Sequence, residues 1–209
     1  MGLFGAPTHF RSSLKGNTIM SHYFEVNGIR EKIFILQSLA LSGENFSKEY
    51  AVGCREKPSL YSQKDYWLSV KSLVSNYILE ISVKVRNASE SVGATSEGVE
   101  ATGVKIDRGI KIYCVENKEV TRHDFLWLSN KVIHAKGFEL VPVGSMQYSK
   151  PLEWWDGEIR VYGKLNGGNK WDISFSVVDW VKSCLVLVNK IESDLIKLKS
   201  NSADLQRCI

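Results

Sequence analysis

Cysteine, proline and histidine are all scarce in this chain of 209 residues, which carries four of each. The cysteines are far apart, at Cys54, Cys114, Cys184 and Cys208. This spacing offers neither a Cys-x-x-Cys metal clip nor the dense framework of a small secreted protein. The histidines complete no zinc motif with them. We therefore expect free thiols in a reducing compartment, no bound metal and no cofactor.

Long apolar runs are also missing. The two longest stretches, 33–41 and 176–188, are interrupted by polar residues such as Gln37 and Asp179, and both fall short of the roughly twenty residues that a membrane span requires. The amino terminus lacks the basic and apolar regions of a signal peptide, and Ala6 stands where a myristoylation signal has Ser or Thr. These absences predict a cytoplasmic protein without membrane contact.

Neither sign of charge dominates the sequence. Lysine and arginine total 27 against 23 acidic residues, a formal net charge of +4. This weak excess permits a polyanionic partner but does not require one, because nucleic-acid binders concentrate their basic residues on one face. Hydrophobic residues make up 44% of the chain, enough for one sizeable core. Composition thus excludes collagen-like and wholly disordered classes and predicts one domain.

Glycine is absent from three long stretches, and helices are expected there because glycine destabilises a helix interior. Apolar residues recur at intervals of three and four from Gln63 to about Arg86, and again from Val178 to about Lys199. A similar pattern over 28–41 predicts an earlier helix, with Ser42 and Gly43 as its stop. The glycine-free stretches are 54–92, 110–136 and 169–209.

The segments between these helices indicate a loop and some β structure. Residues 89–109 are rich in glycine and small polar residues, which predicts a mobile loop. The β-branched run 110–115 predicts one short strand. Alternating residues on both sides of an Asn-Gly-Gly turn predict a β-hairpin over 157–177. The expected organisation is an arm at 1–27, a single helical domain at 28–199 and a frayed tail at 200–209.

A further helix, expected over 122–136 with Gly137 as its C-cap, carries the most distinctive motif of the chain. Its segment N-K-V-I-H-A, residues 130–135, resembles the R-N-x-x-x-H signature of HEPN-type proteins, and also a group of uncharacterised bacterial proteins with an N-K-I-I-H-A core. The resemblance implies a HEPN-like helical bundle, here mainly α with a β-hairpin and one further short strand. It also implies a homodimer with Arg and His from both subunits lining a cleft.

The resemblance assigns roles to particular residues. His134 matches the family's histidine, the general base or 2′-hydroxyl orienter, and Asn130 matches the polar position of the motif. Ser129 stands where the family has its arginine, the stabiliser of the phosphorane charge. A structural role, in which His134 caps the end of its helix or bonds Asn130 inside the core, also stays open.

Three other residues are candidates for substrate binding. Arg86 on the long helix and Lys131 beside the motif are positioned to replace the missing cation, and Trp127 shares a helix face with His134. The sequence therefore predicts an RNA-binding or metal-independent ribonuclease-like protein of a bacterial defence or toxin system, with a protein partner or antitoxin. The alternative is a non-catalytic HEPN-like dimerisation or interaction module, which the missing arginine favours.

Overall fold

A computed structural model describes residues 25–50, 63–95, 111–115, 125–147, 150–164, 168 and 170–207. The elements are α1 (Val26–Tyr50), α2 (Gln63–Thr95), β1 (Lys111–Val115), α3 (Phe125–Ile133), β2 (Gly137–Gln147), β3 (Lys150–Lys164), β4 (Lys170–Ser176) and α4 (Val177–Arg207). The mainly helical class predicted from the sequence is confirmed, and one antiparallel sheet accompanies the helices.

In the described part of the chain, the sheet has four strands in the order β1-β4-β3-β2. Its central pair, β3 and β4, is the predicted hairpin, with Val161 opposite Ile173. The prediction of one hairpin plus one short strand was wrong, because β2 adds an edge strand and β3 already begins at Lys150. Two glycines and Pro142 concealed β2 in the sequence. An edge strand tolerates them, and the β2–β3 register shifts between Leu140 and Pro142.

The two faces of the sheet differ sharply. The inner face is apolar, and α1 packs across it along β3 while α4 continues directly from β4. The outer face is polar and largely exposed. Buried residues of the inner face are Leu140, Ile159, Val161, Trp171, Ile173 and Phe175. Exposed residues of the outer face are Glu139, Arg160, Tyr162, Lys164 and Lys170.

The helices bury the apolar stripes that their sequences predicted. Fully buried examples are Leu36 of α1, Ile78 of α2 and Trp180 of α4. A polar link also fixes α1 against α4, because the Arg30 guanidinium donates to Asn189 Oδ1 at 2.8 Å and to Glu192 Oε2 at 2.7 Å. The sheet and the helices thus share one core.

Helix α1 does not stop at Ser42 and Gly43 as predicted, but continues to Tyr50. Gly43 is buried inside the helix, and a Cβ on it would lie 2.0 Å from the Trp155 carbonyl oxygen of β3. One turn later, the Ser47 hydroxyl donates to the Glu153 carbonyl at 2.8 Å. The glycine therefore serves a close approach of helix and strand backbones.

Two other predicted boundaries also need correction. Helix α2 extends to Thr95, so residues 89–95 of the predicted loop 89–109 are helical, and the Ser89 hydroxyl bonds the Val85 carbonyl. Helix α4 reaches Arg207, where a frayed tail over 200–209 was expected, because this polar segment contains no Gly or Pro to end the helix. The rest of the loop, 96–109, and the arm 1–24 lie outside the described residues.

Helix α3 ends at Ile133, earlier than the predicted Lys136. The His134 amide still donates to the Asn130 carbonyl at 3.1 Å, but the Lys136 amide donates to the Tyr162 carbonyl of β3 at 2.8 Å. Pairing with the sheet thus ends the helix, and Gly137 opens β2 instead of capping α3. The predicted start, 122–124, lies outside the described residues.

Candidate nucleic-acid interface

The apolar side of α3 determines how the motif residues are presented. Phe125, Leu128 and Val132 are buried, and Phe125 packs against Trp180 with ring centroids 5.1 Å apart. Ser129 lies on the same side and is fully buried. An arginine there would carry an ion into the core without a partner. The helix therefore does not offer position 129 as the cationic half of a catalytic pair.

The two predicted catalytic residues, His134 and Asn130, are not joined by a hydrogen bond between their side chains. His134 is exposed at the end of α3, and only its backbone amide contacts Asn130. In the part of the chain that the structure describes, the buried Oδ1 of Asn130 has no hydrogen-bond partner. The interpretation in which His134 bonds Asn130 inside the core was therefore wrong, because His134 faces solvent.

Lys131 and Trp127, predicted to share a face, do come together. The Lys131 ammonium lies 5.6 Å from the Trp127 ring centroid and 5.1 Å from that of Trp171 on β4. Both distances suit a cation–π interaction. Burial lowers the pKa of Lys131 below its usual value. The contact with Trp171 ties α3 to the sheet, which the sequence motif did not indicate.

Arg86, the other predicted substitute for the missing arginine, lies elsewhere. Its Nε donates to Glu90 Oε1, one turn further along α2, at 2.8 Å. Among the described residues, no hydrogen bond or ion pair joins Arg86 to the polar side chains of α3. Its charge is thus already partly compensated within its own helix.

Three exposed lysines lie at one end of the sheet, on three adjacent strands. Lys164 ends β3 directly opposite Lys170, which begins β4. Lys136 immediately precedes β2 and is held there by its amide bond to Tyr162. Lys131 lies near the same end of the sheet but on its inner side, because its partner Trp171 follows Lys170 and points to the opposite face. We call Lys131, Lys136, Lys164 and Lys170 the basic tip.

No acidic residue interrupts the segments that form the basic tip, 131–138 and 162–171. The nearest acids along the strands are Glu139 and Asp172, and Asp172 is already paired with the Arg160 guanidinium, whose Nε lies 2.8 Å from Oδ1. Within the described ranges, no ion pair involves any lysine of the basic tip. Among the described residues, the tip is therefore a patch of positive charge of the kind that polyanions bind.

An aromatic residue borders this patch on the outer face of the sheet. Tyr162 of β3 is 38% exposed, and its hydroxyl bonds the Glu139 carboxylate, which raises the pKa of Tyr162. Its ring covers Gly137 on the neighbouring strand, since a Cβ on Gly137 would lie 2.1 Å from the ring carbon Cζ. Trp171 covers Gly163 in the same manner on the inner face.

Sequence reasoning missed Tyr162, Trp171, Lys136, Lys164 and Lys170 as parts of one site. Lys164 and Lys170, which flank the predicted hairpin turn, could have been recognised as neighbours from the sequence. Residues placed symmetrically about the turn of a hairpin face each other across its two strands. The position of Lys136 had no such signal, because strand β2 itself was not recognised.

Other kinds of site find little support. Among the residues that the structure describes, no group of three or more His, Cys, Asp or Glu side chains is arranged to hold a metal ion. No helix in the described ranges is long and apolar enough to cross a membrane. Comparisons with known family models, with curated proteins and with solved structures gave no match. The function must therefore be argued from the chain's own residues.

Proposed function

We propose that this protein binds RNA through the basic tip. The observation that carries the proposal is that four lysines, from α3, from the residue before β2, and from β3 and β4, lie at one end of the sheet, with no acidic residue in the segments 131–138 and 162–171. Lysines that neutralise phosphates release bound counterions, and this release supplies most of the affinity of sequence-independent binding. Trp127 and His134 adjoin the tip on α3, so two of the residues predicted from the motif belong to the same surface.

We propose binding without cleavage. A metal-independent ribonuclease needs a proton-transfer group and a fixed positive charge that stabilises the phosphorane. His134 is exposed and available for the first role. The second role has no cation at the motif's own position, because Ser129 is buried there. Of the two predicted substitutes, Arg86 is bonded to Glu90 and the Lys131 ammonium lies against Trp127 and Trp171.

The proposal also retains the family and the setting that the motif implies. The HEPN-type resemblance rests on Asn130 and His134, which lie on a helix packed against the long helix α2. A role in a bacterial defence or toxin system, with an antitoxin or other protein partner, follows from that resemblance alone.

Charge reversal at the tip tests RNA binding. In fluorescence anisotropy with a labelled single-stranded RNA, we expect Lys164→Glu with Lys170→Glu to weaken binding about 10- to 100-fold near 100 mM salt. The log–log salt dependence should become shallower by about 1.4, since each phosphate contact on a single strand contributes about 0.7. The matched control is Lys64→Glu with Lys71→Glu on α2, which changes the net charge equally.

The outcomes separate the alternatives. Equal losses of RNA affinity in both double variants would show that the effect comes from net charge and not from the basic tip. Unchanged RNA binding in the tip variant would refute the proposal. The same RNA, incubated with the protein in EDTA, should stay intact. Cleavage that disappears in His134→Ala would instead establish the ribonuclease.

The non-catalytic interaction module is favoured by a different observation. On α1, Phe34 and Leu41 are two turns apart on one side and remain 69% and 76% exposed. Apolar side chains so exposed are common at protein interfaces. If this module is the function, sedimentation velocity should show a dimer that Phe34→Ser with Leu41→Ser dissociates. A monomeric wild-type protein at about 50 μM, well above typical dissociation constants of stable dimers, would rule out dimerisation through this face.

A further inference from the structure

Among the residues of β2, β3 and β4 whose burial the structure describes, Tyr162 is the exposed large aromatic side chain of the outer face. It lies on β3, one of the two central strands, so both of its neighbours across the sheet are ordered strands. Gly137 lies opposite it on β2, and Asp172 lies opposite it on β4. The side chain is thus displayed between two neighbouring strands, near the end of the sheet that carries the basic tip.

The ring of Tyr162 is held in place on two sides. Its inner face rests on Gly137, where any side chain would occupy the space of the ring. Its hydroxyl is bonded to the Glu139 carboxylate on the same strand as Gly137. A side chain already fixed in one orientation loses little conformational entropy when a ligand packs on it. The exposed side of the ring is therefore a preorganised flat surface.

The positive charges of Lys164 and Lys170 in the basic tip lie close to this surface. Lys164 is two residues further along β3 on the same face, about 7 Å away at the usual rise of a strand. Lys170 is paired with Lys164 across β4. A base attached to a phosphate that contacts Lys164 is therefore close enough to reach the Tyr162 ring.

We infer that Tyr162 stacks an unpaired nucleobase, and that the RNA bound at the basic tip is therefore single-stranded. The inference rests on the proposed function and adds the class of RNA. In a duplex the flat faces of the bases are covered by their neighbours, whereas an unpaired base is free to stack on an aromatic ring. Stacking does not discriminate among bases, since every base has a π face.

The test compares three probes of equal length: a single-stranded RNA, the same strand annealed to its complement, and the strand with abasic sites throughout its centre. Wild-type protein should bind the single strand at least about tenfold more tightly than the other two. Tyr162→Ala should lower affinity for the single strand about 5- to 100-fold, the range for losing one stacked base, and leave the duplex and abasic probes unchanged.

Tyr162→Phe is the matched control, because it keeps the ring and removes only the bond to Glu139. It should retain most of the affinity for the single strand. Gly137→Ala should mimic Tyr162→Ala, since the new methyl group displaces the ring while Tyr162 remains. Thermal melts followed by circular dichroism establish that each variant is folded before its binding is read.

Two results would overturn the inference: equal affinity of the wild type for single strand and duplex, or unchanged single-strand binding by folded Tyr162→Ala. Neither result would contradict the proposal that the lysines of the basic tip bind RNA. Failure of the proposed function has a different signature, namely unchanged binding of all three probes when Lys164 and Lys170 are reversed.

Discussion

Phe175→Asp should unfold most of the protein, with an expected loss of about 5 kcal/mol or more in the free energy of unfolding. Phe175 is 1% exposed on the inner face of β4, opposite Ile159 of β3. Truncating a buried phenylalanine costs about 3–5 kcal/mol, and the carboxyl group adds the penalty of burying a polar group without a partner. That sum is comparable with the total stability of most domains, about 5–15 kcal/mol.

The next residue supplies the control. Ser176 is the N-cap of α4, and its Oγ accepts a hydrogen bond from the Asp179 amide at 3.3 Å. Aspartate caps helices as well as serine does, so Ser176→Asp should stay within about 1 kcal/mol of wild type in urea unfolding. A near-native midpoint for Phe175→Asp would mean that the hairpin does not pack on the helices. Equal losses in both variants would point to charge, not position.

Periodicity was sufficient to predict the parts of the fold whose burial is regular. The stripe of α2 and the alternation along β3 and β4 each have one buried side, so sequence spacing and structure coincide. Strand β2 lacks this regularity. It lies at an edge and carries Pro142 beside a register shift, so neither alternation nor composition identified it.

The site was only partly predictable for a related reason. Helical spacing correctly placed Lys131 next to Trp127, because residues four apart share a face. Spacing left open how far the polar residues beside the apolar side of α3 are buried, and the structure buries Ser129 and exposes His134. The lysines of the sheet come from separate strands, and only strand pairing brings Lys164 and Lys170 together.

Gly43 shows how one residue can have two local interpretations. After an apolar helical stripe, a Ser-Gly pair is a typical helix stop. A glycine inside a helix can equally mark the place where another backbone comes too close for a side chain. The sequence around Gly43 fits both cases. Only the contact with β3, more than 100 residues away, distinguishes them.

This contact predicts that Gly43→Ala lowers the free energy of unfolding by about 2–3 kcal/mol, although alanine is the better helix former by up to about 1 kcal/mol. The added methyl group meets the carbonyl oxygen of Trp155, which cannot rotate away. The Trp155 amide also donates to the Tyr66 hydroxyl of α2, so a shift of β3 away from α1 would strain this bond as well. In Gly28→Ala, the matched control on the same helix, the methyl group meets only the flexible Glu25 side chain, so stability should hold or rise. Urea unfolding of the two variants decides the matter, and a Gly43→Ala protein as stable as Gly28→Ala would disprove the close approach.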